Sequence, residues 1–160
     1  MKIFGKIVLS VLIASSFLFG QIQFEAESIE GDQIELEKLL EKGPVLINFW
    51  ASWCQPCKAE MKHLKNIYEK YKSTGFTIVG INQDSPKSLS KVKSLISSNM
   101  INYPIVLDPN NQIFQKYNGQ VMPYSILINP KGEIAFKHTG YLPGDEVKLE
   151  EEITKLLSVE

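Results

Sequence analysis

The chain has 160 residues, with 17 Lys, no Arg and 18 acidic residues, for a net charge of −1 and 44% hydrophobic content. No basic run occurs, so nucleic acid has no electrostatic footprint to bind. Ordinary apolar content without an internal repeat or low-complexity linker fits a single globular domain.

The first 20 residues read as an export signal. Lys2 and Lys6 supply a positive start, residues 7–19 are apolar with interspersed serines, and charge returns at Glu25. An apolar core of about 13 residues is short for a spanning helix and suits a secretory signal. Gly20 is a small residue at the cut, but Leu18 stands where a second small residue is preferred. Residues 1–20 are therefore expected to be either a signal peptide or a retained membrane anchor formed by residues 3–20. No Cys follows the run, which excludes attachment through a lipidated N-terminal cysteine. Loss of residues 1–20 removes two Lys and no acid, taking the net charge from −1 to −3. Residues 21–160 form the expected folded domain, placed in the periplasm or on the outer face of the cytoplasmic membrane, where disulfides persist.

In that domain, residues 22–36 predict a short strand pair with a turn at Gly31-Asp32. Residues 36–42 predict a brief helix ended by Gly43-Pro44. The continuous apolar run VLINFWA, residues 45–51, predicts a strand buried on both faces. Pro56 suits the first turn of a helix, and Met61, Leu64, Ile67, Tyr68 and Tyr71 recur at helical spacing until Gly75 stops it. Residues 76–81 predict a strand, 87–99 a helix and 105–107 a short strand. A helix through Ile113, Phe114 and Tyr117 follows. Residues 124–128 and 133–138 form a hairpin across Asn129-Pro130-Lys131-Gly132, and Gly144-Asp145 opens the last helix. Strands alternating with helices define an α/β domain with parallel pairs, and the final hairpin makes the sheet mixed.

Cys54 and Cys57 are the only cysteines. A bridge between them closes a loop of roughly four residues, which the chain-entropy relation values at only about 2 kcal/mol before strain. A domain of about 140 residues buries a sufficient core without it. Two thiolates are half of a zinc site, and His63 and His138 have no ligand spacing to them. Lys58 stands where covalent haem attachment requires His. The spacing therefore favours a reversible redox pair over a staple or a metal site. In an oxidising compartment such a pair needs an electron donor or acceptor.

The residues 49–57, FWASWCQPC, resemble the active site of the thioredoxin superfamily, and Met122-Pro123-Tyr124-Ser125 resembles its cis-proline loop. The long segment 83–104 between two strands, the N-terminal strand pair and the signal are similar to the TlpA/ResA/CcmG branch of exported thiol–disulfide oxidoreductases. The resemblance covers residues 24–157. It implies a thioredoxin-like α/β fold, with a central mixed sheet flanked by helices and an N-terminal strand pair. Asn48, where cytoplasmic thioredoxins carry a buried Asp, agrees with the exported branch. The Glu-x-Pro of that branch is Glu60-Met61-Lys62 here, so the proline that would kink the helix is missing.

On this resemblance Cys54 is the attacking thiolate, with an exposed sulfur favoured by the helix N-terminus, and Cys57 resolves the mixed disulfide. Glu60, three residues on, shares a helix face with Cys57. Partial burial would raise its pKa and allow proton exchange with Cys57. Trp53, Pro56, Met122 and Pro123 are the expected substrate-contacting residues, with Met122 beside Cys54 offering its backbone to an extended client. Trp50 is expected in the core, and His63 and His138 at the surface. The expected function is exchange of the Cys54–Cys57 disulfide with protein thiols, mainly as a reductant, for example in cytochrome c maturation. It needs no cofactor beyond that disulfide. A monomer fed by a membrane electron donor is expected. A dithiol oxidase usually carries a large helical insertion, absent here, and a peroxiredoxin would need a Thr-x-x-Cys loop. The remaining alternative is a non-catalytic module that holds a client or a metal.

Overall fold

A computed structural model describes residues 23–158; the expected signal or anchor lies outside them. Among the described residues no helix is long and apolar enough to cross a membrane.

The central sheet grows from the apolar run identified above. Strand β3 (Val45–Trp50) has all six residues buried. It pairs in parallel with β4 (Thr77–Asn82), which pairs in parallel with β5 (Ile105–Leu107). On its other side β3 meets β6 (Tyr124–Ile128) in antiparallel register, and β6 meets β7 (Ile134–Thr139) likewise. The order is β5-β4-β3-β6-β7, a mixed sheet, beside a separate antiparallel pair β1 (Glu25–Glu27) and β2 (Gln33–Glu35). Ser28 bridges this pair to β5 at Val106.

Period-2 alternation sorts the sheet residues between two cores. Leu46, Trp50, Ile78 and Leu127 face α2 (Gln55–Tyr71), α3 (Leu89–Ser98) and α5 (Asp145–Leu157), joining Met61, Leu64, Ile67, Val92, Leu149 and Ile153. Val45, Ile47, Phe49, Val79, Ile81, Ile126 and Ile128 face the other way, toward α1 (Leu36–Leu40), α4 (Gln112–Lys116) and the β1–β2 pair. By the same parity Asn48 falls on the α2 face between Leu46 and Trp50, and Ser125, directly opposite Asn48 in the register, falls there too.

Helix α2 runs 17 residues without interruption through Glu60-Met61-Lys62, where the branch's proline is missing. It is followed by a 3₁₀ turn (Lys72–Thr74) and ends at Gly75, whose φ of 89° is left-handed. A Cβ there would sit 1.8 Å from the Lys42 carbonyl oxygen, so glycine is required both by the conformation and by the close approach. The expected helix 87–99 is divided: Pro86–Ser88 forms a 3₁₀ turn and the α-helix starts at Leu89. Pro86 supplies no N–H and fixes φ, which suits a first turn.

Candidate active site

The site is built where β3 ends. Ala51 to Cys54 is a turn closed by the Cys54 N–H donating to the Ala51 carbonyl at 3.1 Å. Cys54 is the N-cap of α2, Pro56 lies in the first turn, and the Cys54 sulfur accepts the Cys57 N–H at 3.3 Å. A bond to one of the orphan N–H groups at a helix start is the arrangement that stabilises a thiolate once the pair is reduced.

Cys54 and Cys57 form a disulfide. Cys57 is fully buried, and Cys54 is only 5% exposed. The expectation of an exposed Cys54 sulfur is thus corrected for the oxidised form. The bridge ties that sulfur to a buried neighbour and turns it toward the helix N-terminus. Trp53 instead carries the exposed surface, at 64%, and Pro56 is exposed beside it. Trp50 is fully buried.

The Met122–Pro123 peptide is cis. Tyr124 lies opposite Phe49, so Pro123 arrives at the end of β3 from which the active-site turn departs. Pro123 is buried, its carbonyl accepts the Gly140 N–H at 2.8 Å, and Met122 is half-buried against the core that contains both cysteines. The fold therefore gathers Trp53, Cys54, Cys57, Met122 and Pro123 at one end of the sheet.

Glu60 lies one turn beyond Cys57 and is 3% exposed, more deeply buried than the partial burial expected. Asn48 Nδ2 donates to it at 2.8 Å and Ser125 Oγ at 2.9 Å; Asn48 Nδ2 also reaches Ser125 Oγ at 2.9 Å. Burial raises the Glu60 pKa to about 7, against the lowering effect of the Ser125 and Asn48 hydrogen bonds, while the Asp145 charge adds to the rise. A carboxyl that titrates near neutrality can both accept and return a proton.

Asn48 and Ser125 were readable as polar residues inside apolar strand runs, but only the parity of β3 and β6 reveals that both face Glu60. Asp84 and Ser52 were missed: Ser52 donates to the buried Asp84 carboxylate through its N–H at 2.6 Å and its hydroxyl at 2.7 Å. The polar run Asn82-Gln83-Asp84 at the end of a buried strand was the signal available.

His63 and His138 lie at the surface as expected, with side chains 44% and 30% exposed. His138 Nε2 lies 3.0 Å from Asp145, and His63 Nδ1 lies 3.7 Å from Glu146. Both contact the start of α5, whose first turn is acidic. Among the described residues no cluster of three or more His, Cys, Asp or Glu side chains is placed to hold a metal.

This fold and a redox-active dithiol pair at a helix N-terminus define a thioredoxin-like thiol–disulfide oxidoreductase. The sequence pattern of the AhpC/TSA family matches residues 21–137. The chain is similar to the thiol-disulfide oxidoreductase ResA of Halalkalibacterium halodurans, at 35% identity over 87% of this chain and 76% of that one. It is also similar to ResA of Bacillus subtilis, at 38% identity over 73% of this chain and 64% of that one. The crystal structure of StoA from Bacillus subtilis superimposes with a TM-score of 0.67 at 29% identity, covering 81% of this chain and 95% of that one. The chain belongs to the AhpC/TSA family, among its ResA-type thiol–disulfide oxidoreductases.

Proposed function

We propose that the protein is an exported reductant of protein disulfides, with cytochrome c maturation as its expected setting. In this reading residues 1–20 direct export or anchor the chain, residues 21–160 form the catalytic domain, and a membrane donor returns electrons to the pair. The observation that carries it is the buried carboxyl of Glu60 one helical turn beyond buried Cys57, poised to titrate near neutrality.

Reduced Cys54, as thiolate, attacks one sulfur of a client disulfide. A mixed disulfide forms and the first client thiolate leaves. Cys57 then gives its proton to Glu60 and attacks the Cys54 sulfur. The mixed disulfide breaks, the second client thiolate leaves, and the Cys54–Cys57 bond re-forms. Two electrons pass from the pair to the client. Glu60 matters because Cys57 has no solvent to take its proton. Trp53 and Pro56, exposed beside the pair, and Met122 and Pro123, at the end of β6, form the contact surface for the client, with the Met122 backbone pairing to an extended segment.

Cysteine replacement tests the assignment. With Cys57→Ser, a disulfide-bearing client is expected to accumulate as a mixed disulfide on Cys54. With Cys54→Ser no adduct forms. An adduct formed equally well by Cys54→Ser through Cys57 would reverse the two roles, and a Cys54→Ser variant with full client activity would favour a non-catalytic module.

A further inference from the structure

A second buried carboxylate binds the turn that leads into Cys54. Asp84 follows β4, is 5% exposed, and accepts three hydrogen bonds: Ser52 N–H at 2.6 Å, Ser52 Oγ at 2.7 Å and Asn82 Nδ2 at 2.8 Å. Its own N–H donates to Asn82 Oδ1 at 3.1 Å, and Gln83 N–H donates to the Trp50 carbonyl at 2.9 Å. Ser52 and Asn82 are themselves buried, at 1% and 0%. Donors on both oxygens are the surroundings of a carboxylate acting only as acceptor. Among the described residues no Lys or His forms an ion pair with it.

Ser52 is an inner residue of the turn that ends in Cys54. We infer that Asp84 is a positioning residue for the redox pair: its carboxylate clamps Ser52 and with it the turn carrying Cys54, and its uncompensated charge biases the pair toward the disulfide. The inference rests on Cys54 and Cys57 being the redox pair proposed above.

Both effects have the same sign. The clamp holds the Cys54 backbone in place, which favours closure with Cys57 over two separate thiols. Reduction can create a thiolate at Cys54, and a buried anion bonded to Ser52, two residues before Cys54 in the chain, disfavours a second negative charge nearby. The free N–H groups of α2 pull the other way, and half-buried Lys58 on the same helix adds to that pull. Asp84 therefore offsets part of the thiolate stabilisation that the helix start provides, and it sets the pair as a better reductant than the helix alone would make.

Parent, Asp84→Asn and Ser52→Ala proteins, equilibrated in glutathione buffers at neutral pH and followed by Trp fluorescence, test this. Ultraviolet thiolate absorbance gives the Cys54 titration in each reduced protein. Asp84→Asn is expected to shift the equilibrium about three- to tenfold toward the dithiol, tenfold being roughly 30 mV for two electrons, and to lower the pH at which Cys54 ionises. Ser52→Ala keeps the charge and the backbone bond. It is expected to shift the equilibrium by a smaller factor, about twofold, and to leave the Cys54 titration near that of the parent. A folded Asp84→Asn protein that matches the parent in both readouts overturns the inference. If Asp84→Asn does not fold, Ser52→Ala decides: a shifted equilibrium supports the clamp and a parent-like one overturns it. A parent disulfide that does not exchange with glutathione at all overturns the redox reading and this inference with it.

Discussion

Ser125 donates a 2.9 Å hydrogen bond to Glu60 across 65 positions of sequence. The bond joins β6, the strand that follows the cis-proline, to α2, the helix that carries both cysteines. The bond thus ties the strand after the cis-proline to a buried carboxyl one helical turn beyond Cys57. Asn48 completes the triangle, donating to both, while its Oδ1 is buried without a partner.

The raised pKa of Glu60 fixes a sign for stability against pH. From the ordinary value of 4.5 up to about 7, the folded protein keeps a proton that the unfolded chain has lost. The stability from protonated Glu60 is therefore complete below the unfolded value and lost as pH rises through the folded one, by about 3 kcal/mol at most. Denaturant unfolding of the oxidised parent and of Glu60→Gln, at about pH 5 and about pH 8, should show the parent losing stability relative to the variant as pH rises. Parallel behaviour of the two proteins contradicts the assignment.

The same carboxyl predicts a kinetic signature. In Glu60→Gln, attack by Cys54 on a client should proceed, because Cys54 ionises without help from Glu60. Resolution by Cys57 should slow by about 10²-fold, the usual range for loss of a positioned base, and lose its dependence on a group titrating near neutrality. Rapid quenching that resolves mixed disulfide from final product measures this directly. An equal slowing of both steps would mean that Glu60 supports the helix rather than Cys57.

Trp53 is exposed and adjacent to Cys54, so its truncation should leave the fold intact. Trp53→Ala is expected to change stability by no more than about 0.5 kcal/mol, as for surface sites. Reduction of a protein disulfide should fall several-fold in kcat/KM, mostly through KM, while exchange with glutathione stays near that of the parent. Equal losses with both substrates would place Trp53 in the chemistry instead of the contact surface.

The order of elements was legible because each signal was local. The six buried residues of β3 stand as one apolar run, Gly75 closes the segment after α2, and the Cys pair sits where strand meets helix. The site was legible only as far as spacing reaches. Glu60 is three residues from Cys57, so the helix period alone brings them to one face. Asn48 and Ser125 are 77 residues apart, and their meeting depends on strand register. Asp84 and Ser52 belong to two loops whose proximity follows from the parallel pairing of β3 with β4. The burial of Cys54 was misjudged because a sulfur at a helix start looks accessible in sequence, whereas the disulfide folds it inward. The histidines lie at the surface as read, and only the packing of α5 shows that its acidic first turn meets both.

The most direct test of the central claim is the equilibrium reduction potential of the Cys54–Cys57 pair, read by Trp fluorescence in dithiothreitol or glutathione buffers. A reductant that draws on a membrane donor should lie near or below the thioredoxin value of roughly −270 mV. A value near roughly −120 mV, that of strong dithiol oxidants, would contradict the account and make disulfide formation the task of this site.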